Sequence, residues 1–332
     1  MTDVGGTLAY QNLGPEDILD AVEATGLRCD GRLLALNSYE NRVYQVGQQD
    51  GSNLVAKFYR PGRWSEAAIL EEHAFSQELA DDEIPVVPPI VIGERTLHQH
   101  AGFSFALFPC RGGRTPELDD LELLVQLGRL IGRIHARGHT RRFRQRPALD
   151  IHSFGELSRT YLLEHDFVPA DLRLAYATTC DDLLTRIAQC FDRAGHFTSL
   201  RLHGDLHPGN VLVNGQQLFI VDLDDARTGP AIQDLWMFLS GDQHEQGPQL
   251  AVLLEGYTRF ADFDARELHL IEALRTLRMM HYAAWIARRW EDPAFKQAFP
   301  WFAERRYWDD HVLALREQAA LMQEPPLVWD RD

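Results

Sequence analysis

His203-Gly204-Asp205-Leu206-His207-Pro208-Gly209-Asn210, followed by Val211-Leu212-Val213 and then by Ile220-Val221-Asp222-Leu223-Asp224-Asp225, is the stretch on which the reading of this chain turns. It sets an aspartate, an asparagine five residues later, and another aspartate at the end of a second short apolar run. Phosphoryl transfer asks little covalent work of a protein. It needs a carboxylate at the acceptor hydroxyl, oxygen ligands for a metal, and cations at the phosphates. Asp205 fits the first role. Asn210 offers a neutral oxygen and Asp222 an anionic one, a donor set suited to Mg²⁺, which favours hard oxygens and keeps several waters. A surface turn rich in Asp and Asn accounts for the glycine and proline here, but not for the oxygen ligands.

The spacing Asp-x-x-x-x-Asn is that of a kinase catalytic loop, and a strand-borne Asp about a dozen residues on matches its metal-binding Asp. Together these residues resemble the superfamily of aminoglycoside phosphotransferases, choline kinases and homoserine kinases, distant relatives of protein kinases. The resemblance implies Asp205 as catalytic base and Asn210 and Asp222 as Mg²⁺ ligands. His207 stands where a protein kinase has a catalytic-loop lysine; contact with the γ-phosphate and a loop-stabilising hydrogen bond are equally open to it. Asp234, in Gly229-Pro-Ala-Ile-Gln-Asp-Leu-Trp236, is expected to brace the catalytic loop.

Upstream, Val55-Ala56-Lys57 on a third strand matches the motif whose lysine binds the α- and β-phosphates of ATP and pairs with a helix glutamate. Of 33 basic residues only Lys57 and Lys296 are lysine. A lysine kept against that arginine background points to a position that needs an ammonium. Its partner should lie on a helix over 66–80, where Glu71 and Glu72 compete. At about 100° per residue, Glu72 falls among Ile69, Phe75 and Leu79, where a carboxylate needs a buried partner. Glu71 falls at the edge and can be solvated, so the reading takes Glu72. No G-x-G-x-x-G precedes Lys57. Asn37-Ser38-Tyr39-Glu40-Asn41-Arg42 stands there instead, with Ser38 as a donor to phosphate, or as part of a plain hairpin loop. By analogy of fold, Phe108-Pro109-Cys110 would offer backbone hydrogen bonds to adenine.

The coarse pattern gives an α+β, bilobal, protein-kinase-like fold: a small N-lobe over 1–108, a hinge at 109–114, and a larger, mainly helical C-lobe over 115–332 carrying 203–210 and 220–225. A helix is expected over 14–26, strands near 32–37, 42–48 and 53–59, and a turn at Asp50-Gly51. Ser65 caps the helix over 66–80. The last two strands of an antiparallel sheet read as 90–92 and 103–108. A periodic helix over 118–138 carries Leu121, Leu124, Leu127, Leu130, Ile131 and Ile134, and later helices are expected near 245–261, 265–290 and 302–322. The run Arg141-Arg142-Phe143-Arg144-Gln145-Arg146 reads as a solvated loop, and the C-terminal tryptophans as core.

The 332 residues carry a formal net charge of −16, which repels nucleic-acid phosphates and anionic lipid. Cys29, Cys110, Cys180 and Cys190 form no CxxC pair, and read as reduced thiols of a cytoplasmic protein. Residues 1–11 show no signal-peptide pattern, and no apolar run reaches about 18 residues.

A closer resemblance runs through nearly the whole chain. Leu36–Gln45, Lys57–Trp64, Phe108–Arg114, Val221–Arg227 and Gln323–Leu327 resemble the bacterial stress response kinase A family. That implies a cytoplasmic monomer that uses ATP and Mg²⁺ to phosphorylate Ser and Thr of protein substrates. Only 11 residues separate Asp222 from Asp234, too few for a phosphorylation-ordered activation segment, so a small-molecule hydroxyl acceptor stays beside the protein acceptor. A nucleotide-binding pseudokinase is the third reading, against which stand the intact Lys57, Asp205, Asn210 and Asp222.

Overall fold

A computed structural model describes residue 10 and residues 12–329. The remainder of the N-terminal stretch read for a targeting signal, and residues 330–332 of the tail, lie outside the described residues.

The chain divides into two compact units. The first comprises the described residues up to Pro116 together with Phe143–Arg146 and Pro208–Ala226. Its centre is a five-stranded antiparallel sheet of β1 (Cys29–Ala35), β2 (Arg42–Gln48), β3 (Asn53–Phe58), β4 (His98–His100) and β5 (Phe103–Pro109), in the order β1-β2-β3-β5-β4. α1 (Pro15–Glu23) starts with Pro15 and buries Ile18, Ala21 and Val22 against Val46, Phe58 and Phe105. α2 (Glu66–Asp81) starts where the Ser65 hydroxyl accepts from the Ala68 N–H at 3.2 Å. At the β2–β3 turn Gly51 takes φ 86°, a left-handed backbone that glycine adopts without strain.

The edge strand is not the expected one. Residues 90–92 are not a strand: Pro88 and Pro89 have no N–H to give, only Ile90 reaches Leu107, and Ile92 turns back to bridge Arg95. Short, polar β4 takes the edge instead.

The segment holding Asn210 and Asp222, read as C-lobe, groups with this sheet unit. It forms a hairpin of β7 (Val211–Asn214) and β8 (Gln217–Ile220), after β6 of the second unit. Long-range backbone bonds bind it there. Ile220 pairs with Pro85, Val86 and Val87, and Val213 pairs with Arg114. The arginine-rich run is likewise not simply solvated. Phe143 packs edge-on to Phe75 at 5.4 Å, and Arg146 is buried with its guanidinium 4.0 Å from the Trp64 ring.

The second unit is mainly helical: α3 (Leu121–His139), α4 (Leu157–Glu164), α5 (Arg173–Ala194), α6 (Gln243–Tyr257), α7 (Ile271–Ala287), α8 (Pro293–Ala298) and α9 (Arg305–Leu321). A two-stranded ladder of β6 (Leu200–Leu202) and β9 (Arg227–Gly229) precedes and follows the hairpin segment in sequence. α3 buries the expected Leu124, Leu127, Leu130, Ile131 and Ile134, while Leu121, in its first turn, is exposed. Trp308 is fully buried among Tyr176 and Phe302; Trp285 and Trp290 are only half-buried and Trp301 is exposed. All four cysteines are free thiols. Among the described residues no helix is long and apolar enough to cross a membrane.

Candidate active site

β3 sets Lys57 between Val43 of β2 and Ala106 of β5. Its ammonium lies 2.7 Å from Asp222 Oδ1 and 3.5 Å from Asp224 Oδ1. Burial alone would lower the Lys57 pKa. The charges of Asp222, Asp224 and Glu72 outweigh it and raise the group above its ordinary value, so the ammonium persists.

Asp222 follows β8 with φ 61° and ψ 66°, and its side chain is 51% exposed. The Val221 N–H donates to the Asn210 carbonyl at 3.0 Å, one step beyond the Val211–Ile220 pair. Asn210 and Asp222 therefore stand at the same open end of the β7–β8 hairpin. Among the described residues no group of three or more His, Cys, Asp or Glu is arranged to hold a metal. A metal held by Asn210 and Asp222 would keep most of its positions for water and phosphate, a donor set that Mg²⁺ accepts.

Glu72 is not the direct partner expected for Lys57. The recorded ion pairs of the ammonium run to Asp222 and Asp224, because strand-end carboxylates reach it first and Glu72 acts on it only through longer-range charge. Glu72 is 4% exposed, 3.7 Å from His73 Nε2, and burial pushes its pKa up to about 7. Glu71 is not merely solvated either. Its carboxylate accepts the N–H groups of Arg144, Gln145 and Arg146 at 2.7, 2.7 and 2.9 Å.

Sequence reasoning missed the buried network beneath Lys57. Asp224 accepts from Asn41 Nδ2 at 3.0 Å and pairs with Arg63, whose other nitrogen lies 2.9 Å from both oxygens of Asp225. Arg146 donates to the carbonyls of Asp224 and Ala226. Burial would raise the Asp224 carboxyl, but Lys57, Arg63 and Arg146 hold it below the usual carboxylate range. The run Val221–Asp225 carried a signal, three acidic residues after an apolar strand, and so did Lys57; nothing in the sequence pointed Arg63 or Arg146 to this network. The remaining nucleotide candidates lie in the same unit. Ser38 is half-buried in the bend between β1 and β2, and Phe108 pairs with Val55 on β3. Cys110 Sγ donates to Gln45 Oε1 at 3.7 Å.

Asp205 belongs to the second unit. The residues before it are clamped by Asp234, whose two oxygens accept the N–H groups of His203 at 2.8 Å and Gly204 at 2.9 Å. Gly204 takes φ 86°, and its carbonyl accepts from Gln233 Nε2 at 2.9 Å. His135 Nε2 lies 3.1 Å from Asp234 and its Nδ1 lies 3.0 Å from Tyr257 Oη. Burial pushes the Asp234 carboxyl up, and the His135 hydrogen bond, the His135 and His203 charges and the Gly204 N–H more than reverse that. The clamp thus stays ionised and holds the backbone that aims Asp205. Arg278 of α7 donates to Asp205 Oδ1, and His207 Nε2 stands 3.7 Å from Oδ2. Nothing in the pattern of α7 singles out Arg278; only packing brings it to the aspartate.

Residues 32–271 match the model of the phosphotransferase enzyme family. The chain is 44% identical over 318 residues to stress response kinase A of Escherichia coli (strain K12), covering 96% of each. It is equally 44% identical, with the same coverage, to the serine/threonine protein kinase RdoA of Salmonella typhimurium (strain LT2). Among solved structures, an amicoumacin kinase in complex with AMP-PNP, Ca²⁺ and Ami superposes with TM-score 0.68 at 19% identity, over 92% of this chain and 93% of that one. A spectinomycin phosphotransferase superposes with TM-score 0.62 at 17% identity, over 93% and 100%. These likenesses at low identity speak to the fold.

Proposed function

The chain belongs to the phosphotransferase enzyme family and, within it, to the stress response kinase A family, and from that premise we propose that it transfers the γ-phosphate of Mg·ATP to serine and threonine hydroxyls of proteins in a bacterial stress response. The observation that carries the site reading is the Lys57 ammonium 2.7 Å from Asp222, on a hairpin end shared with Asn210. The protein acceptor comes from the Salmonella relative, named a serine/threonine protein kinase.

Each residue has a role in this reading. Asp205 orients the acceptor hydroxyl and takes its proton. Asp222 and Asn210 hold Mg²⁺, which when bound neutralises charge on the phosphate oxygens. Lys57 meets the α- and β-phosphates, kept cationic by Asp222 and Asp224 and, at longer range, by Glu72. Ser38 donates to phosphate, the backbone at Phe108 and Cys110 faces adenine, and His207 contacts the γ-phosphate. Asp234 positions the loop. The division into an N-lobe over 1–108, a hinge at 109–114 and a C-lobe over 115–332, less the 143–146 and 208–226 segments that group with the sheet unit, is part of the proposal, as are a monomeric state and the cytoplasm as location.

One observation favours a second acceptor class. The 11 residues between Asp222 and Asp234 are taken up by short 3₁₀ turns and β9, which leaves no long segment to dock a peptide. The test is γ-labelled ATP with Mg²⁺ and a protein panel, beside hydroxylated metabolites and aminoglycosides, with Asp205→Ala as control. Label on Ser or Thr of protein, absent with the variant, is the expected result. Label only on small molecules replaces the acceptor, and transfer at the wild-type rate by Asp205→Ala removes the base.

A further inference from the structure

The charge beside Asp205 is opposite to what an acceptor site for amines would carry. Arg278 holds one carboxylate oxygen, with side-chain exposure of 40% against 27% for Asp205. His207 approaches the other oxygen at 3.7 Å. The same face of α7 runs on from Arg278 through Tyr282 and Trp285 and, just past the helix end, to Arg289. Tyr282 is 42% exposed and stacks on Trp285 at 5.7 Å, and the Arg289 guanidinium lies 5.3 Å from the Trp285 ring. A track of cation, two aromatic rings and cation therefore leads away from the base, on a chain whose net charge is −16.

A guanidinium on a carboxylate oxygen competes with the acceptor hydroxyl for the lone pairs that would take its proton. Arg278 must therefore shift or share when the acceptor arrives. An acceptor with an ammonium next to its hydroxyl meets a like charge there. One with a carboxylate next to its hydroxyl offers the fork a bidentate partner and frees Asp205.

We infer that Arg278 determines acceptor specificity: it passes from Asp205 to an acidic side chain beside the acceptor Ser or Thr, so the kinase prefers acidic-flanked hydroxyls. This rests on the reading of Asp205 as the base; with a small-molecule acceptor the same fork would meet a carboxylate beside the hydroxyl. Tyr282 and Trp285 then lie beneath the residues that follow along the peptide.

The test compares peptides bearing one Ser flanked by Glu, Ala or Lys, together with small hydroxylated carboxylates and amines, on the wild type and on Arg278→Gln, Arg278→Glu and Arg278→Lys. The wild type is expected to favour the Glu-flanked peptide over the Lys-flanked one by about tenfold or more in kcat/KM, chiefly through KM. Arg278→Gln brings that ratio near one, Arg278→Glu reverses it, and Arg278→Lys restores part of it. A wild-type preference for Lys-flanked acceptors overturns the inference. So does a ratio that Arg278→Gln and Arg278→Glu leave unmoved while melting like the wild type. Label confined to small molecules would discard the protein acceptor alone. Carboxylates chosen over amines through Arg278 would still uphold the inference, and amines chosen over carboxylates would sink it.

Discussion

Asp222 occupies the left-handed region at φ 61°, a conformation that costs a non-glycine residue roughly 1 kcal/mol. Together with its exposed carboxylate, this is strain held at a place where geometry matters. Asp222→Ala is expected to lose metal-dependent nucleotide binding, read by calorimetry; unchanged Mg·ATP affinity would contradict the ligand assignment. Lys57→Arg is expected to lower kcat/KM by about 10²-fold, the order seen when one charge-stabilising donor is lost. At a residue only 7% exposed, a planar fork cannot reproduce a point charge that meets two aspartates. Full activity in a protein of normal melting temperature would undo the argument from lysine rarity. Asp205, Asn210, Asp222 and Lys57 could be nominated from sequence because motif spacing is local. Which carboxylate meets Lys57 was not legible, since helix periodicity orders candidates on α2 and says nothing of a hairpin 165 residues away.

At the scale of elements, α3 and α6 pack with backbones in direct approach. A Cβ at Gly128 would stand 1.9 Å from the Leu253 carbonyl oxygen. Gly128→Ala gains up to about 1 kcal/mol of helix propensity and forces the two helices apart at a cost of about 1–3 kcal/mol. A fall in chemical-denaturation midpoint is expected, and a rise would mean the helices have room. Glu267 is buried, accepts the Ile232 N–H at 2.9 Å, and burial pushes its pKa up to about 7 from the usual 4.5. The folded state holds this proton more tightly than the unfolded one. Its stability contribution is thus fully present below about pH 4.5 and lost as pH rises through about 7. Glu267→Gln should match the wild type near pH 4.5 and exceed it at pH 8, by up to about 3 kcal/mol. Melting curves at both pH values test this, and an equal difference at each would show that Glu267 does not titrate there. Periodicity gave α3 and the β2–β3 turn closely. It gave 90–92 as a strand because an apolar triplet carries the same pattern whether or not prolines have removed its ladder donors.

For the whole molecule, the residues assigned to nucleotide and metal imply that Mg·ATP stabilises the folded chain by mass action, about 2.7 kcal/mol at a hundredfold excess over Kd. The melting temperature should rise with Mg·ATP and fall back with EDTA, and Asp222→Ala should not respond. A rise that persists undiminished in EDTA would count against the metal site. The sequence by itself determined the α+β class, the phosphotransferase motif, and the helices and hairpins whose signals lie within a few residues of one another. Only the tertiary structure decided that Arg146 is buried, that Glu71 secures the 144–146 backbone, that Lys57 meets Asp222 and Asp224, and that Arg278 reaches Asp205 from 73 residues away. The physical reason is that charge pairing depends on which side chains packing brings within about 4 Å, and local propensity carries no record of that distance.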